Sequence, residues 1–433
     1  MEVNDAAQVC DALAARGVTR VRIMHPDPHG RARSKDFPLA TLPSLMVGIG
    51  FCEASLVEGL DGEPLMDAAH PGGQGLPDIH AVPDLGTARQ LPWDPATAWL
   101  LADLETAHHA PSALCSRGAL RRELDRLAAC GYQAQIAAEP EFYLLRPTES
   151  GRYERYSPLK GMAYTSGLRA DPDGSGRRIH DHAIALGLGA TAFHREFSPG
   201  QFEINLTHGE PLDATDRVFL LEETIKELAI AEGLFATFMA KPFSDAEGSS
   251  HHLHLSLWDH DLPIFQSDSG GLSAIGRDFA AGLIKHAPGL MAVAAPTINS
   301  YKRLGGTGLA PAQADFAGDD RTAYLRIPPQ GGVSTRIELR VGDASANPYL
   351  LACVALAAGR SGIERKLGNA EIASVPLPMD LSTALAALEA DSVLVEALGP
   401  DMIDAICAVK RRELERFSQA VTDWEWCEYA DHA

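Results

Sequence analysis

Five glutamates and one histidine, set in short runs of alternating residues, are the groups in this chain that could do chemistry together. Residues 247–257 read Glu-Gly-Ser-Ser-His-His-Leu-His-Leu-Ser-Leu, so a β-strand would put His252, His254 and Ser256 on one face and Leu253, Leu255 and Leu257 on the other. Glu139-Pro140-Glu141 lies between Ile136 and the apolar run Phe142–Leu145, which projects both carboxylates the same way. Glu196 precedes a Pro199-Gly200 turn and a strand in which Gln201, Glu203 and Asn205 alternate with Phe202, Ile204 and Leu206. Arg336, Glu338 and Arg340 share the polar face of a fourth run.

Any one of these strands alone reads equally well as a cross-strand Arg–Glu pair or a solvated face. Together they offer Glu139, Glu141, Glu196, Glu203, Glu338 and His252, each strand having an apolar back. Clustered carboxylates cannot all stay ionised without cations. Oxygen-rich ligation with a single imidazole suits Mg²⁺ or Mn²⁺ better than zinc, and six ligands are enough for two ions. Arg303, Arg321, Arg326, Arg336 and Arg340 follow in the sequence. They either balance an acidic surface or, beside two divalent ions, hold phosphate and carboxylate for phosphoryl transfer.

Elements of both kinds must position these residues, which makes the chain α+β. Val18–Met24 and Arg31–Phe37 read as strands around a Pro26–Gly30 turn, and residues 47–100 are Gly- and Pro-rich with short apolar runs, a small β-rich N-terminal unit. A helix is expected from Ser116 with Leu120, Leu124 and Leu127 on one face, stopping at Gly131. The composition shift divides the chain into residues 1–105 and 106–433. Gln135–Leu145 is an expected strand, Asp213 an expected cap of a helix ending at Gly233, and Asn347-Pro348 the start of an apolar helix to about Arg365. The last fifty residues are expected to be helical, with an exposed tail around Trp424 and Trp426.

The 37 Lys and Arg against 58 Asp and Glu give a formal charge of −21, a surface that repels nucleic acid and anionic membranes. With no secretory leader and no long apolar run, a cytoplasmic location is expected. The seven scattered cysteines form no Cys-x-x-Cys pair and are expected mostly as small buried residues. Asp171–Gly176 imitates a calcium loop, but His182 stands at the twelfth position, so a surface loop is expected instead. Walker A and complete Gly-x-Gly-x-x-Gly sequences are lacking.

The ordered motifs Glu-Pro-Glu-Phe (139–142), Pro-Gly-Gln-Phe-Glu (199–203), Lys-Pro-Phe (241–243), Gly-Ser-x-x-His-x-His (248–254), Asn-Ser-Tyr-Lys-Arg-Leu (299–304), Arg-Ile-Glu-x-Arg (336–340) and Asn-Pro-Tyr-Leu (347–350) resemble the glutamine synthetase family over nearly the whole chain. The resemblance implies a β-grasp N-terminal domain, a catalytic domain with strands curved around a funnel-shaped active site, and a homo-oligomer, usually a dodecamer with sites between subunits. It assigns Glu141, Glu196 and Glu203 to a first metal and Glu139, His252 and Glu338 to a second. His254, Ser256, Arg326 and Arg336 fall on the nucleotide side, and Arg303, Arg321 and Arg340 on the substrate carboxylate and transferred phosphate. ATP and Mg²⁺ or Mn²⁺ are the implied cofactors, glutamate and a small amine the substrates.

Departures from the family pattern concentrate where the amine and the amino acid are held. Cys52 and Leu309 stand where ammonia-using members carry an Asp and a flap Glu that hold ammonium and help deprotonate it. Glu247 replaces an Asn, and Ser250-His251 a Gly-Met, near the glutamate α-amino site. The tyrosine-containing adenylylation motif is missing between Leu367 and Pro378. The expectation is a γ-glutamyl-amine ligase that uses an amine other than ammonia. Ordinary glutamine synthetase requires Glu53 or Asp315 to replace the lost acids. A catalytically silent binding protein is the reading from outside the enzymes.

Overall fold

The computed structural model describes residues 3–65, 77–160, 162–267, 271–304, 309–369 and 372–432. Leu309 is therefore described, whereas the preceding part of the expected flap, 305–308, lies outside the described residues.

Alternation of Val21 and Ile23 with polar neighbours, and the apolar run Ala98–Leu101, build a parallel pair of strands, Arg20–Pro26 against Thr97–Glu105, at the centre of an N-terminal sheet. Ala32–Pro38 flanks the pair on one side and Asp78–Pro83 then Ile49–Cys52 on the other, all antiparallel, with Arg89–Gln90 off the Thr97 strand. Helix Val3–Ala15 packs Ala6 and Leu13 into this unit. The β-rich reading of the N-terminus overlooked that helix, although Ala6, Val9, Cys10 and Leu13 recur at helical spacing.

The second sheet runs, in order, through Phe316–Ala317, Leu325–Arg326, Ile337–Leu339, His251–Asp259, Gln133–Pro147, Gln201–Leu206 and Ala190–Arg195. Its long Gln133–Pro147 strand pairs with the His252 strand through Pro140 and with the Glu203 strand from Glu141. Pro140 stands where the pairing changes, a place where a strand tolerates a residue without an N–H. Behind the sheet lie helices Ser116–Ala129, Pro211–Ala231 and Pro348–Arg365, the last buried along almost its entire length. Asn347 caps it through Tyr349 and Leu350 N–H, and its Nδ2 donates to the Asp27 carbonyl (3.0 Å), joining the N-terminal unit to the helical layer.

Three expectations need correcting. Glu210, not Asp213, caps the Pro211–Ala231 helix, because Pro211 takes the first helical position and moves the start upstream. The calcium-loop look-alike is a turn that opens into helix Ser175–Ala185, and Asp171 is a buried acceptor for Gly176 and Arg177 N–H and for the Tyr156 hydroxyl (2.8 Å). Only Cys115, Cys353 and Cys407 are buried; Cys52, Cys130 and Cys427 are exposed. The C-terminal helices, Leu381–Ala390 to Asp423–Tyr429, end with Trp424, Trp426 and Tyr429 exposed. No described helix is long and apolar enough to cross a membrane.

Candidate active site

Strand register assembles the acids. Glu203 lies opposite Glu141 on one neighbour and His194 on the other, Glu139 lies opposite His252, and Glu338 lies between His254 and Arg326. Side chains two apart share a face, so one curved surface collects all six expected ligands. The turn before the His252 strand is sterically defined: a Cβ on Gly248 would stand 2.5 Å from the Ala240 carbonyl and 2.6 Å from Arg303 Cγ.

Among the described residues, candidate ligand atoms form three groups in which all lie within 4.8 Å of one another: Glu139, Glu203 and His252; Glu139, His254 and Glu338; and His194, Glu196 and Glu203. The grouping differs from the expected division into two triads. Glu141 is held back because its Oε2 accepts from Gln201 Nε2 (3.0 Å) and Ser250 N–H (2.9 Å). His194 joins through Nε2, 2.9 Å from Glu196 and 3.5 Å from Glu203. His254 Nδ1 accepts from Arg336 Nε (3.2 Å), which leaves its proton on Nε2. That buried nitrogen is 3.1 Å from Glu139 Oε1 but off the hydrogen-bond line, and so has no aligned partner.

Electrostatics show what the cluster lacks. Burial, and then the neighbouring Glu196, push the Glu141 carboxyl up to about 8, against the pull of Ser250 N–H and Arg303. Burial raises Glu203 well above its ordinary value, reinforced by Glu141, Glu139 and Glu196. For Glu139 and Glu338 burial acts in the same direction but is outweighed: His252 and His254 hold both carboxyls below the usual range, with Arg340 and Arg326 adding to the effect at Glu338. Burial and Arg340 lower the His252 imidazole, against the pull of Glu139 and Glu338. Buried carboxylates that repel one another beside the His252 imidazole form an oxygen-rich donor set that fits hard divalent cations.

The arginines take separate places. Arg303 is buried, donating to the Val341 carbonyl (2.9 Å), the Ser250 hydroxyl (2.9 Å) and the Arg340 carbonyl (3.2 Å). Arg340 is bonded to Glu338 and donates from Nε to the Arg321 carbonyl (2.9 Å). Arg326 reaches Glu338 (2.6 Å) and Asp319 (2.6 Å), so in this structure it belongs to the acid cluster as much as to a nucleotide side. Ser256 is apart from the cluster; its hydroxyl accepts from the Trp258 indole (3.2 Å).

A cavity of about 280 Å³ opens on this surface. Glu139, Glu141, Glu196, Glu203 and His252 line one part of it, and Arg303, Arg321 and Arg340 another. A larger one, about 730 Å³, lies between the N-terminal unit and the C-terminal helices around Phe238, Ile298, Val409 and Phe417, and contains none of the expected site residues. The expected site residues therefore gather at the smaller cavity. Its wall also holds Tyr164, Phe197, Gln201 and Leu309, of which the sequence reading gave a role only to Leu309. His194 could have been found, since it stands two residues before Glu196, near the end of the Ala190–Arg195 strand. Tyr164 and Phe197 sit in loops and carry no periodic signal.

The catalytic-domain family of glutamine synthetase matches residues 113–429. The chain belongs to the glutamine synthetase family. It is 32% identical to a glutamine synthetase of Methanococcus maripaludis, with 99% of each protein covered. It is also 32% identical to a glutamate–isopropylamine ligase of a Pseudomonas species, with 82% of each covered. A solved structure described as a GmaS/ADP complex superposes with a TM-score of 0.86 at 32% identity, covering 98% of this chain and 99% of that one. The glutamine synthetase fold, with its curled sheet, and membership of a ligase family follow directly.

Proposed function

We propose that this protein is an ATP-dependent ligase that joins the γ-carboxyl of glutamate to an amine other than ammonia. Leu309 carries the reading: it lines the acid cavity, with Ala310, where an ammonia-using relative of this family would place a carboxylate. Asp315 does not line that cavity, and its carboxylate is engaged by Tyr324 N–H (2.9 Å) and Gln313 Nε2 (3.2 Å). The Leu309–Ala310 part of the wall supplies no charge to hold ammonium and tolerates a substituent on nitrogen.

In this reading Glu196, Glu203 and His194 would hold one divalent cation, with Glu141 behind them bonded to Gln201 and Ser250, and Glu139, His252 and Glu338 would hold another. When bound, Mg²⁺ or Mn²⁺ neutralises charge on the transferred phosphoryl group. Arg336, His254 and Ser256 face the nucleotide, with Arg326 at the border. Arg303, Arg321 and Arg340 hold the substrate carboxylate and the phosphoryl oxygens. A γ-carboxylate oxygen attacks the terminal phosphorus of ATP and ADP leaves. The amine nitrogen then attacks the acyl carbon and loses a proton, and the C–O bond breaks as orthophosphate departs, taking that proton to solvent. The acting form is a homo-oligomer, a dodecamer by family analogy, which light scattering tests.

ADP release measured with glutamate, Mn²⁺ and a panel of amines tests the function. An organic amine should exceed ammonia in kcat/KM. Ammonia as the best acceptor would overturn the proposal, and no ADP with any amine would favour a silent binding protein.

A further inference from the structure

Three partly exposed apolar residues line the acid cavity: Tyr164, Phe197 and Leu309, exposed by 64%, 51% and 40%. In the single chain these large apolar side chains stay about half exposed beside clustered carboxylates, a surface open to a ligand. Two of them are nevertheless held in place. Phe197 stands in the short loop between the His194 and Glu203 strands, and both its neighbours are pinned. Glu196 N–H donates to the Gln201 carbonyl (2.9 Å), and the Ser198 hydroxyl accepts from Glu247 N–H (2.8 Å). At the loop's end Gly200 has φ +79, and a Cβ there would stand 2.9 Å from the Leu144 carbonyl. Tyr164 adopts φ 62, unusual for a residue with a side chain, while its N–H donates to the Arg195 carbonyl (2.9 Å) and its ring lies 5.0 Å from that of His194. A pre-positioned ring half in solvent is what a binding surface requires, because little side-chain freedom is lost when a ligand covers it.

We infer that Phe197, flanked by Tyr164 and Leu309, is the specificity-determining residue for the acceptor amine and selects an apolar substituent, branched alkyl or aryl, over a hydroxylated or cationic one. The inference rests on the proposed amine ligase activity and names its substrate class. Glu139, Glu196 and Glu203 are assigned to the divalent cations, and Glu247 lines the cavity beside Gly248 and Ser250, where the amino-acid substrate is expected; the substituent is assigned to the apolar mouth. Each methylene that covers this surface should raise kcat/KM by roughly fourfold.

The test compares propylamine with ethanolamine, which differ by a methyl against a hydroxyl at nearly equal size, with putrescine, isobutylamine and benzylamine completing the series. Wild type, Phe197→Ala and Phe197→Leu are assayed for ADP release, with melting temperatures to establish folding. Wild type should prefer propylamine to ethanolamine by about tenfold or more and rise further with isobutylamine or benzylamine. Phe197→Ala should reduce that propylamine-to-ethanolamine ratio by about tenfold, and Phe197→Leu should restore most of it. The change in ratio between variants does not depend on the amines' own basicity. Better use of ethanolamine or putrescine than of propylamine, or an equal effect of Phe197→Ala on both amines, would overturn the inference while leaving the amine ligase intact. Ammonia as the best acceptor would overturn both.

Discussion

If Leu309 sets the polarity of the amine's site, Leu309→Glu should turn the cavity toward ammonia. A carboxylate about 4 Å from an ammonium ion is worth about 1 kcal/mol in bulk water and about 4 kcal/mol at the effective dielectric near a protein surface. Leu309 is 40% exposed, so the introduced charge is screened and falls in the lower part of that range, about 1.5 to 2 kcal/mol. That corresponds to about a 10- to 30-fold gain in the kcat/KM for ammonia. Propylamine, also a cation near neutral pH, gains the same attraction but loses the apolar contact of Leu309, which moves the ratio toward ammonia by roughly fourfold for each methylene uncovered. Glu139, Glu141, Glu196 and Glu203 share the cavity and would repel the new carboxylate if unneutralised, so the measurement belongs at saturating Mn²⁺. Coupled ADP release with the two amines reads the ratio, and a melting curve checks the fold, which a partly exposed substitution should leave within about 0.5 kcal/mol. A folded variant that still releases ADP with propylamine, its amine ratio within about threefold of wild type, would refute the reasoning. Leu309 would then line the cavity without facing the amine.

Glu338→Gln removes the charge that faces both Arg326 and Arg340 from a side chain only 1% exposed; calorimetry should show at least tenfold weaker Mn²⁺ binding, and activity should fall below the assay limit. With EDTA present, melting temperature should fall as pH rises from 5 to 8: Glu141, raised to about 8 by burial, keeps a proton in the folded state that the unfolded chain has already released, so its share of stability is complete below the ordinary carboxyl range and is lost on the way to 8. Mn²⁺ should flatten that slope by taking the proton's place, and a slope unaffected by Mn²⁺ would contradict the cluster's role. Arg117→Ala should lower stability by about 3 to 5 kcal/mol in thermal or urea unfolding, because Arg117 is buried and paired with Asp84 (3.1 Å), Asp103 (2.8 Å) and Asp216 (2.6 Å), which would be left facing one another.

Most of the strand scaffold was legible because period-two alternation survives wherever one face is buried. Glu139-Pro-Glu141, Gln201–Leu206 and His252–Leu257 show it, and their register does the rest. The Asn347-Pro348 helix start was legible for a similar reason, since capping is a local signal. Local chemistry does not reveal which acid meets which. Glu141 is diverted by Gln201 and Ser250, residues distant in sequence, and His194 enters because the antiparallel Ala190–Arg195 strand sets it opposite Glu203. Tyr164 and Phe197 escaped notice because loop residues follow no period; what holds them is backbone hydrogen bonding that only the folded chain supplies.

The departures from the family pattern have a physical logic in the structure. Positions where the register stacks carboxylates are coupled, because losing one ligand leaves its partners buried and unpaired; Glu338, Arg340 and Arg326 constrain one another this way. Leu309 and Phe197 stand at the cavity's mouth, partly exposed, where exchanging a side chain disturbs no buried partner. Ser250 is the intermediate case: its backbone N–H holds Glu141 while its hydroxyl accepts from Arg303, so this one residue touches both the acid cluster and the anion-holding arginine. The backbone contact is open to any residue other than proline, but the hydroxyl contact belongs to this chain's serine. A change of acid substrate would therefore act through Arg303, and a change of amine through Leu309 and Phe197. Double-mutant cycles should find the Ser250 and Leu309 effects on kcat/KM additive within about 0.5 kcal/mol, and a larger coupling would mean that the two substrates share one wall of the cavity.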